Sequence, residues 1–303
     1  MSYTVFLGTP CIDEYYEIAE WPRMGAKFAC VPKGQSAGGM IANAACVMAG
    51  YGEKVYSFCG LSKGPDTDFL FADFARNHVD TSQIILREEG TDAKCLIFQT
   101  ETDRSIAVVA GDPWQIVPNK EQKAFLKGAA YLYTTLSAAN DYADPLPLFN
   151  EMKEAGVRFV FDNEVTAYRK GWEDYVRDSY IVSMNEHALR TFAEGSTNEE
   201  LEEKLLQLGV RIIVETLGAQ GCRVLSREGS FSVPAYEVPV KDTTGAGDTF
   251  NTSFLFALKQ GKELKEAAEF ATAAANRAVT LQGARSGIAS YEEVLAFQKG
   301  YRK

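Results

Sequence analysis

Histidine is almost missing from this chain: His78 and His187 are the only two in 303 residues. They stand far apart and without ligand spacing, so neither a histidine metal centre nor a Ser-His-Asp triad is expected. His187 reads as a helix-surface residue. Paired cysteines are missing too. Cys11, Cys30, Cys46, Cys59, Cys95 and Cys222 are scattered, mostly in apolar contexts, and no Cys-x-x-Cys occurs. Their even number permits disulfides, but buried thiols of a reducing compartment are the expectation. Positive charge is in deficit, with 31 Lys and Arg against 41 Asp and Glu and a net charge of −10. That argues against nucleic acid and against an anionic membrane surface as partners. No apolar run reaches transmembrane length, and Met1-Ser2-Tyr3-Thr4 enters a strand without a basic leader, so a soluble, cytoplasmic protein is expected.

The common nucleotide signatures are lacking as well. There is no G-x-x-x-x-G-K-[ST], which disfavours a Walker-type NTPase, and the protein-kinase set is absent. Where a Rossmann dehydrogenase carries G-x-G-x-x-G after its first strand, Gly8-Thr9-Pro10-Cys11 stands instead.

What is present is 46% hydrophobic residues, enough to bury a large core. Short apolar, β-rich runs at 5–8, 54–58, 131–135, 157–161, 181–183 and 210–215 alternate with helical stretches such as 41–49 and 69–76. Helical patterns at 264–279 and 291–299 close the chain. This rhythm predicts an α/β fold with a mostly parallel central sheet flanked by helices. Two stretches break it, 13–33 and 93–110, which alternate in strand fashion with no helix between. Cys95-Leu96-Ile97-Phe98 and Ile106-Ala107-Val108-Val109 are placed to pair across Glu101-Thr102-Asp103-Arg104, as a small antiparallel flap.

The most informative segment is Asp242-Thr243-Thr244-Gly245-Ala246-Gly247-Asp248-Thr249-Phe250. It follows a strand-like approach at 236–240 and leads into a helical pattern at 249–259. Gly245, Ala246 and Gly247 carry almost no side chain, leaving backbone N–H groups open at a helix N-terminus, where the dipole favours an anion. Asp248, set beside an anion cradle, suits a base that takes the proton of a hydroxyl attacking a phosphoryl group. The plainer reading is a glycine turn with a capping aspartate.

That nonapeptide resembles the C-terminal signature of the ribokinase-like (PfkB) carbohydrate kinases, and other matches lie in the same order along the chain. Gly38-Gly39-Met40-Ile41-Ala42-Asn43-Ala44-Ala45 is similar to the family's sugar-binding segment. Asp13 falls where the family places an acid that grips substrate hydroxyls. Asn185-Glu186 resembles an element near metal and phosphates, and Thr216-Leu217-Gly218-Ala219-Gln220-Gly221 the nucleotide-side strand and turn. The resemblance implies a core made of 1–12, 36–92 and 111–303, with 13–35 and 93–110 forming a β lid, and a homodimer through that lid as an expectation. It implies catalysis by Asp248 with Gly245, Ala246 and Gly247, and a small sugar held by Asp13, Gly39, Met40, Asn43 and Arg104. ATP would lie along Asn185, Glu186, Thr216, Gly218, Gly221 and Gly247, with Mg²⁺ on its phosphates. Asp242 and Thr244, with carbonyls around Val279, Leu281 and Gly283, match a monovalent-cation site, which makes K⁺ an optional further ion. The acidic charge does not oppose ATP, because backbone amides and Mg²⁺ supply local positive potential.

Some positions depart from the family pattern. Met40 replaces a frequent polar contact, Ile41 is bulkier than usual, Ala188 stands where a second acid is common, and Thr252 and Ser253 replace tiny residues. The expected activity is ATP-dependent phosphorylation of a hydroxyl, such as a hydroxymethyl, on a small sugar or sugar derivative. A nucleoside kinase is the nearest alternative, with Tyr15, Trp21 and Phe28 facing a base. A catalytically silent sugar-binding regulator comes next, and a dehydrogenase last.

Overall fold

The computed structural model describes residues 2–101, 103–164 and 167–301. In chain order, β1 (Thr4–Leu7), β2 (Cys11–Glu17) and β3 (Val31–Gly38) precede α1 (Met40–Gly50), and β4 (Val55–Phe58) and β5 (Gly60–Ser62) precede α2 (Pro65–Arg76). Then come β6 (Ile85–Arg87), β7 (Lys94–Gln99), β8 (Arg104–Val109), α3 (Lys120–Lys127), β9 (Tyr131–Thr134), α4 (Pro145–Glu154) and β10 (Arg158–Asn163). They are followed by α5 (Trp172–Val176), β11 (Ile181–Asn185), α6 (Glu186–Phe192), α7 (Asn198–Gln207), β12 (Ile212–Thr216), β13 (Cys222–Ser226) and β14 (Gly229–Val233). Last are α8 (Ala246–Lys259), α9 (Leu264–Val279) and α10 (Tyr291–Tyr301).

An 8-stranded sheet in the order β14-β13-β12-β11-β10-β9-β1-β4 forms the centre. It is parallel from β4 to β12; the β13–β14 hairpin, which sequence reasoning did not single out, adds antiparallel strands at one edge. β1 and β9 consist of buried residues only, the signature of parallel strands covered on both faces. One face carries α1, α8 and α9, whose Met48, Phe254 and Phe270 are fully buried. The other carries a separate cluster that includes Phe149, Trp172 and Leu201. The alanines of α9, among them Ala267, Ala271 and Ala274, let that helix lie close against its neighbours.

β2, β3, β7 and β8 form a second, 4-stranded sheet in the order β3-β2-β7-β8. The pairing of β7 with β8 sets Cys95 opposite Val108 and Ile97 opposite Ile106. β2–β3 is antiparallel as well, while the central β2–β7 pair is parallel. Thr102, in the turn expected between β7 and β8, lies outside the described residues. All of β8 is exposed, with Ile106 at 51% and Val108 at 72%. Residues 236–240, expected to be strand-like, join no ladder; they run past the end of β14 along a cavity mouth, and the Tyr236 N–H donates to the Asn276 side-chain oxygen. Among the described residues no helix is long and apolar enough to cross a membrane.

β1 lies between β4 and β9, so the strand order reverses direction there. Beyond the carboxyl ends of the parallel strands at such a reversal is where open α/β sheets place ligands. β2 leaves from that end, and α1, α6 and α8 begin near it.

Candidate active site

The turn before α8 is built from glycine for steric reasons. Gly245 caps the helix at φ 75°, and a Cβ there would stand 2.4 Å from the Ala284 carbonyl oxygen. Its own carbonyl receives the Thr249 N–H at 2.9 Å and the Thr249 hydroxyl at 2.8 Å, which pins the first turn. A Cβ on Gly247 would meet nothing within 4 Å, so that face of the turn opens on space. The Gly247 and Asp248 N–H groups have no carbonyl four residues back within the helix and lie at the positive end of its dipole, whereas the Ala246 N–H, expected to be open, donates to the Thr243 carbonyl oxygen at 3.3 Å.

Asp248 is deep among protein atoms yet still partly accessible to solvent. Burial first, then the Asp162 charge, push its carboxyl up to about 8, although the Asn43 hydrogen bond and Arg285 pull the other way. The Asn43 side-chain amide donates to the Asp248 carboxylate at 2.7 Å. This bond ties α1 to α8 and aims the carboxylate. Under it lies a buried polar network absent from the sequence reading: Tyr133 and Asn251 donate to Asp162 at 2.6 and 2.8 Å, and Ser183 donates to Asn251 at 2.6 Å. Asp162 itself is pushed up to about 6, chiefly by burial.

Gly38 and Gly39 make room at the acceptor side. A Cβ on Gly38 would fall 2.1 Å from an Asp13 carboxylate oxygen, and one on Gly39, at φ 94°, would lie 3.0–3.2 Å from the backbone of residues 9–11. Asp13 is buried, with its carboxyl raised mainly by desolvation. Asn43 follows one turn into α1. Its Oδ1 is buried without a partner among the described residues, an acceptor waiting for a donor. Met40, half-buried, packs against the apolar cluster of the α1 face. Arg285 was not anticipated: it donates to the Ala42 carbonyl oxygen at 2.5 Å, pairs with Asp73 at 3.1 Å, and is a cation whose field reaches both Asp13 and Asp248.

A cavity of about 850 Å³ begins at Ala246 and Gly247 and takes in Asn185, Thr216, Gly218 and Gly221 among its walls. The expected nucleotide residues are thus together, except Glu186, which points outward and pairs with Arg190 at 3.0 Å. Asn185 caps α6 through its Oδ1, which accepts the Ala188 N–H at 2.8 Å. Gly221 is required by packing, since a Cβ would lie 2.0 Å from the Val233 carbonyl oxygen.

The expected monovalent-cation set does not fit. Asp242 accepts from the Thr244 N–H at 2.9 Å, the Thr244 hydroxyl at 2.6 Å, the Gly283 N–H at 3.0 Å and the Arg104 guanidinium at 3.0 Å. Burial opposes its charge, but these donors outweigh that and hold the carboxyl down at about 2. The Val279 carbonyl oxygen already receives the N–H groups of Lys241 and Asp242, and Leu281 is 40% exposed. Donors and a guanidinium surround this carboxylate, where a cation needs acceptors. Arg104 therefore braces β8 to the loop before α8. The aromatics named for a base do not gather either: Trp21 and Phe28 are exposed, Phe28 lies edge-on to Phe98, and Tyr15 alone turns toward Ser36 within the small sheet. Cysteine burial is also less general than expected, for Cys46, Cys59 and Cys222 are buried, Cys11 and Cys95 half-buried and Cys30 exposed, all as free thiols.

Comparison with known proteins bears on what this arrangement serves. The ribokinase of Staphylococcus aureus (strain COL) is 25% identical over 303 residues, covering 96% of this chain and 97% of the relative. The structure of Arabidopsis thaliana ribokinase complexed with ribose and ATP superposes with a TM-score of 0.84 at 22% identity, covering 99% of each chain. A putative ribokinase II from E. coli, in complex with ATP and Mg²⁺, gives 0.83 at 18% identity, covering 99% of this chain and 100% of the other. The model of the pfkB family carbohydrate kinases matches residues 26–290, which take in the Gly38-Gly39 turn, Asn43, the cavity wall and the Gly245–Asp248 turn, and the chain belongs to that family.

Proposed function

We propose that this protein transfers the γ-phosphoryl group of ATP to a hydroxymethyl or similar hydroxyl of a small sugar or sugar derivative. The observation that carries the reading is the 2.7 Å bond from Asn43 to Asp248, which joins the helix of the Gly-Gly turn to the helix of the anion cradle. ATP occupies the cavity that starts at Gly247, with its terminal phosphate at the first turn of α8. The acceptor lies on the other side of that turn, its hydroxyls held by Asp13 and by the free Oδ1 of Asn43. Asp248 accepts the proton of the attacking hydroxyl, and the N–H groups around Gly247 stabilise charge on the transferred group, each worth about 3 kcal/mol in comparable anion holes.

Mg²⁺ fits the residues present. The charges of Asp162 and Glu164 both raise the Asp248 carboxyl, so the end of the cavity that Asn185 lines is one where a divalent cation offsets negative charge. Glu164 and, through water, the cavity wall at Asn185 would hold the ion, which would supply charge neutralisation to the phosphates. No step is assigned to K⁺, since the Asp242 shell is filled by donors. The small sheet closes over the acceptor and keeps water from the reaction. Two copies pair through its exposed β8.

The test is a coupled ADP assay over pentoses, hexoses, sugar acids, sugar phosphates and nucleosides, with wild type and Asp248→Asn. At least one sugar is expected to stimulate ADP release in wild type, and the variant to bind ATP normally while turning over at least ~100-fold more slowly. ADP release that no sugar stimulates, or a variant of near-normal rate, overturns the reading.

A further inference from the structure

Three soft or anionic side chains meet on one face of the small sheet. Cys11 opens β2, Asp13 follows two residues on and so shares its face, and Cys95 of β7 is the ladder partner of Asp13. The two sulfurs are 3.8 Å apart, the Cys11 thiol lies 3.4 Å from an Asp13 oxygen, and all three donor atoms fall within 4.8 Å of one another. A tetrahedral zinc ion with Zn–S of about 2.3 Å and Zn–O of about 2.0 Å sets ligands about 3.8 Å apart, sulfur to sulfur, and about 3.5 Å apart, sulfur to oxygen. The Cys11–Cys95 and Cys11–Asp13 spacings are therefore those of zinc coordination edges.

A disulfide is the competing use of two close thiols, and the ladder opposes it. Cys95 partners Asp13, so Cys11 is offset from it by two residues on the neighbouring strand. From strand spacing and rise, that offset separates the Cα atoms by about 8 Å, beyond the roughly 7 Å a disulfide tolerates. We propose that Cys11, Cys95 and Asp13 form a three-ligand site for a thiophilic divalent cation of the zinc class, whose occupation withdraws Asp13 from the acceptor. Hard Mg²⁺ does not compete for a pair of sulfurs, so the site is separate from the ion at the phosphates. Binding releases thiol protons and leaves one coordination position open.

The second half of this proposal rests on the acceptor role given to Asp13 above; the metal site itself does not. The experiment titrates full-length reduced protein with Cd²⁺, read by thiolate-to-metal charge-transfer absorption, and with Zn²⁺ by calorimetry, both in excess Mg²⁺. One equivalent per chain is expected. Cys11→Ser and Cys95→Ser should each weaken binding by at least ~10-fold, whereas Cys30→Ser, on an exposed loop, should leave it intact. Absence of the absorption band, or binding as tight as wild type in either site variant, overturns the metal site. A stimulating sugar at saturation should raise the apparent Kd for Zn²⁺. Binding indifferent to that sugar overturns the withdrawal of Asp13, while sugar-dependent turnover in buffer with Mg²⁺ but without Zn²⁺ or Cd²⁺ shows independently whether the kinase reading stands.

Discussion

At the scale of single residues, the site turns on a carboxylate whose charge the protein makes expensive. Burial and the Asp162 charge push Asp248 up to about 8, so near neutral pH the free protein holds it largely protonated. A base works only in the deprotonated form, which sets the sign: activity must rise with pH. The expected kcat/KM for the acceptor climbs close to tenfold per pH unit below about 8 and levels above it. A flat profile between pH 6 and pH 9 would show that Asp248 is not the titrating base. The residues that sequence alone could propose were those with an unusual local string, Gly245-Ala246-Gly247-Asp248 above all. Asp162, Asn251 and Arg285 stayed hidden because their partners are distant: 89 residues separate Asn251 from Asp162, and 243 separate Arg285 from Ala42. Nothing in the neighbourhood of a lone arginine announces that it will face two acids from another part of the chain. Cys11 and Cys95 were read as scattered for the same reason.

At the scale of elements, the two glycines of the anion cradle serve different ends, and alanine separates them. Gly245→Ala forces a side chain onto a left-handed residue, 2.4 Å from a carbonyl oxygen, at a cost of about 1–3 kcal/mol or more. Gly247→Ala meets no atom within 4 Å, and inside a helix the change favours folding by up to ~1 kcal/mol. Its new methyl group instead enters the space where the nucleotide approaches. Thermal unfolding should therefore show a lower Tm for Gly245→Ala and an equal or higher one for Gly247→Ala. ATP kinetics should show kcat/KM reduced at least ~10-fold in Gly247→Ala. An unchanged kcat/KM there would mean these N–H groups do not receive the phosphate. The buried strands and long helices were legible, since an apolar run between turn residues has few other fates. Residues 236–240 misled because alternation and β-rich composition signal an extended backbone, while a ladder also needs a strand in register, and here the first N–H goes to the Asn276 side chain. The β13–β14 hairpin passed unnoticed because Arg227-Glu228-Gly229 is an ordinary turn between short segments.

At the scale of the whole molecule, the small sheet offers β8 as an edge strand that is exposed along its length. Ile106 and Val108, at 51% and 72% exposure, sit where monomeric proteins prefer charge. Two copies pairing there would cover both. Ile106→Lys with Val108→Lys is expected to turn a dimer into a monomer in sedimentation; a wild type that already sediments as a monomer removes the idea. The order of assembly follows from the bond between Asn43 and Asp248, whose ends are 205 residues apart. Such a contact is closed late, after its loop entropy has been overcome by the strands between. During synthesis, the Gly-Gly turn and α1 leave the ribosome long before α8 exists to receive them. For most of its translation the chain carries only one half of the candidate site, and Asn43 waits for the carboxylate it meets in the folded protein.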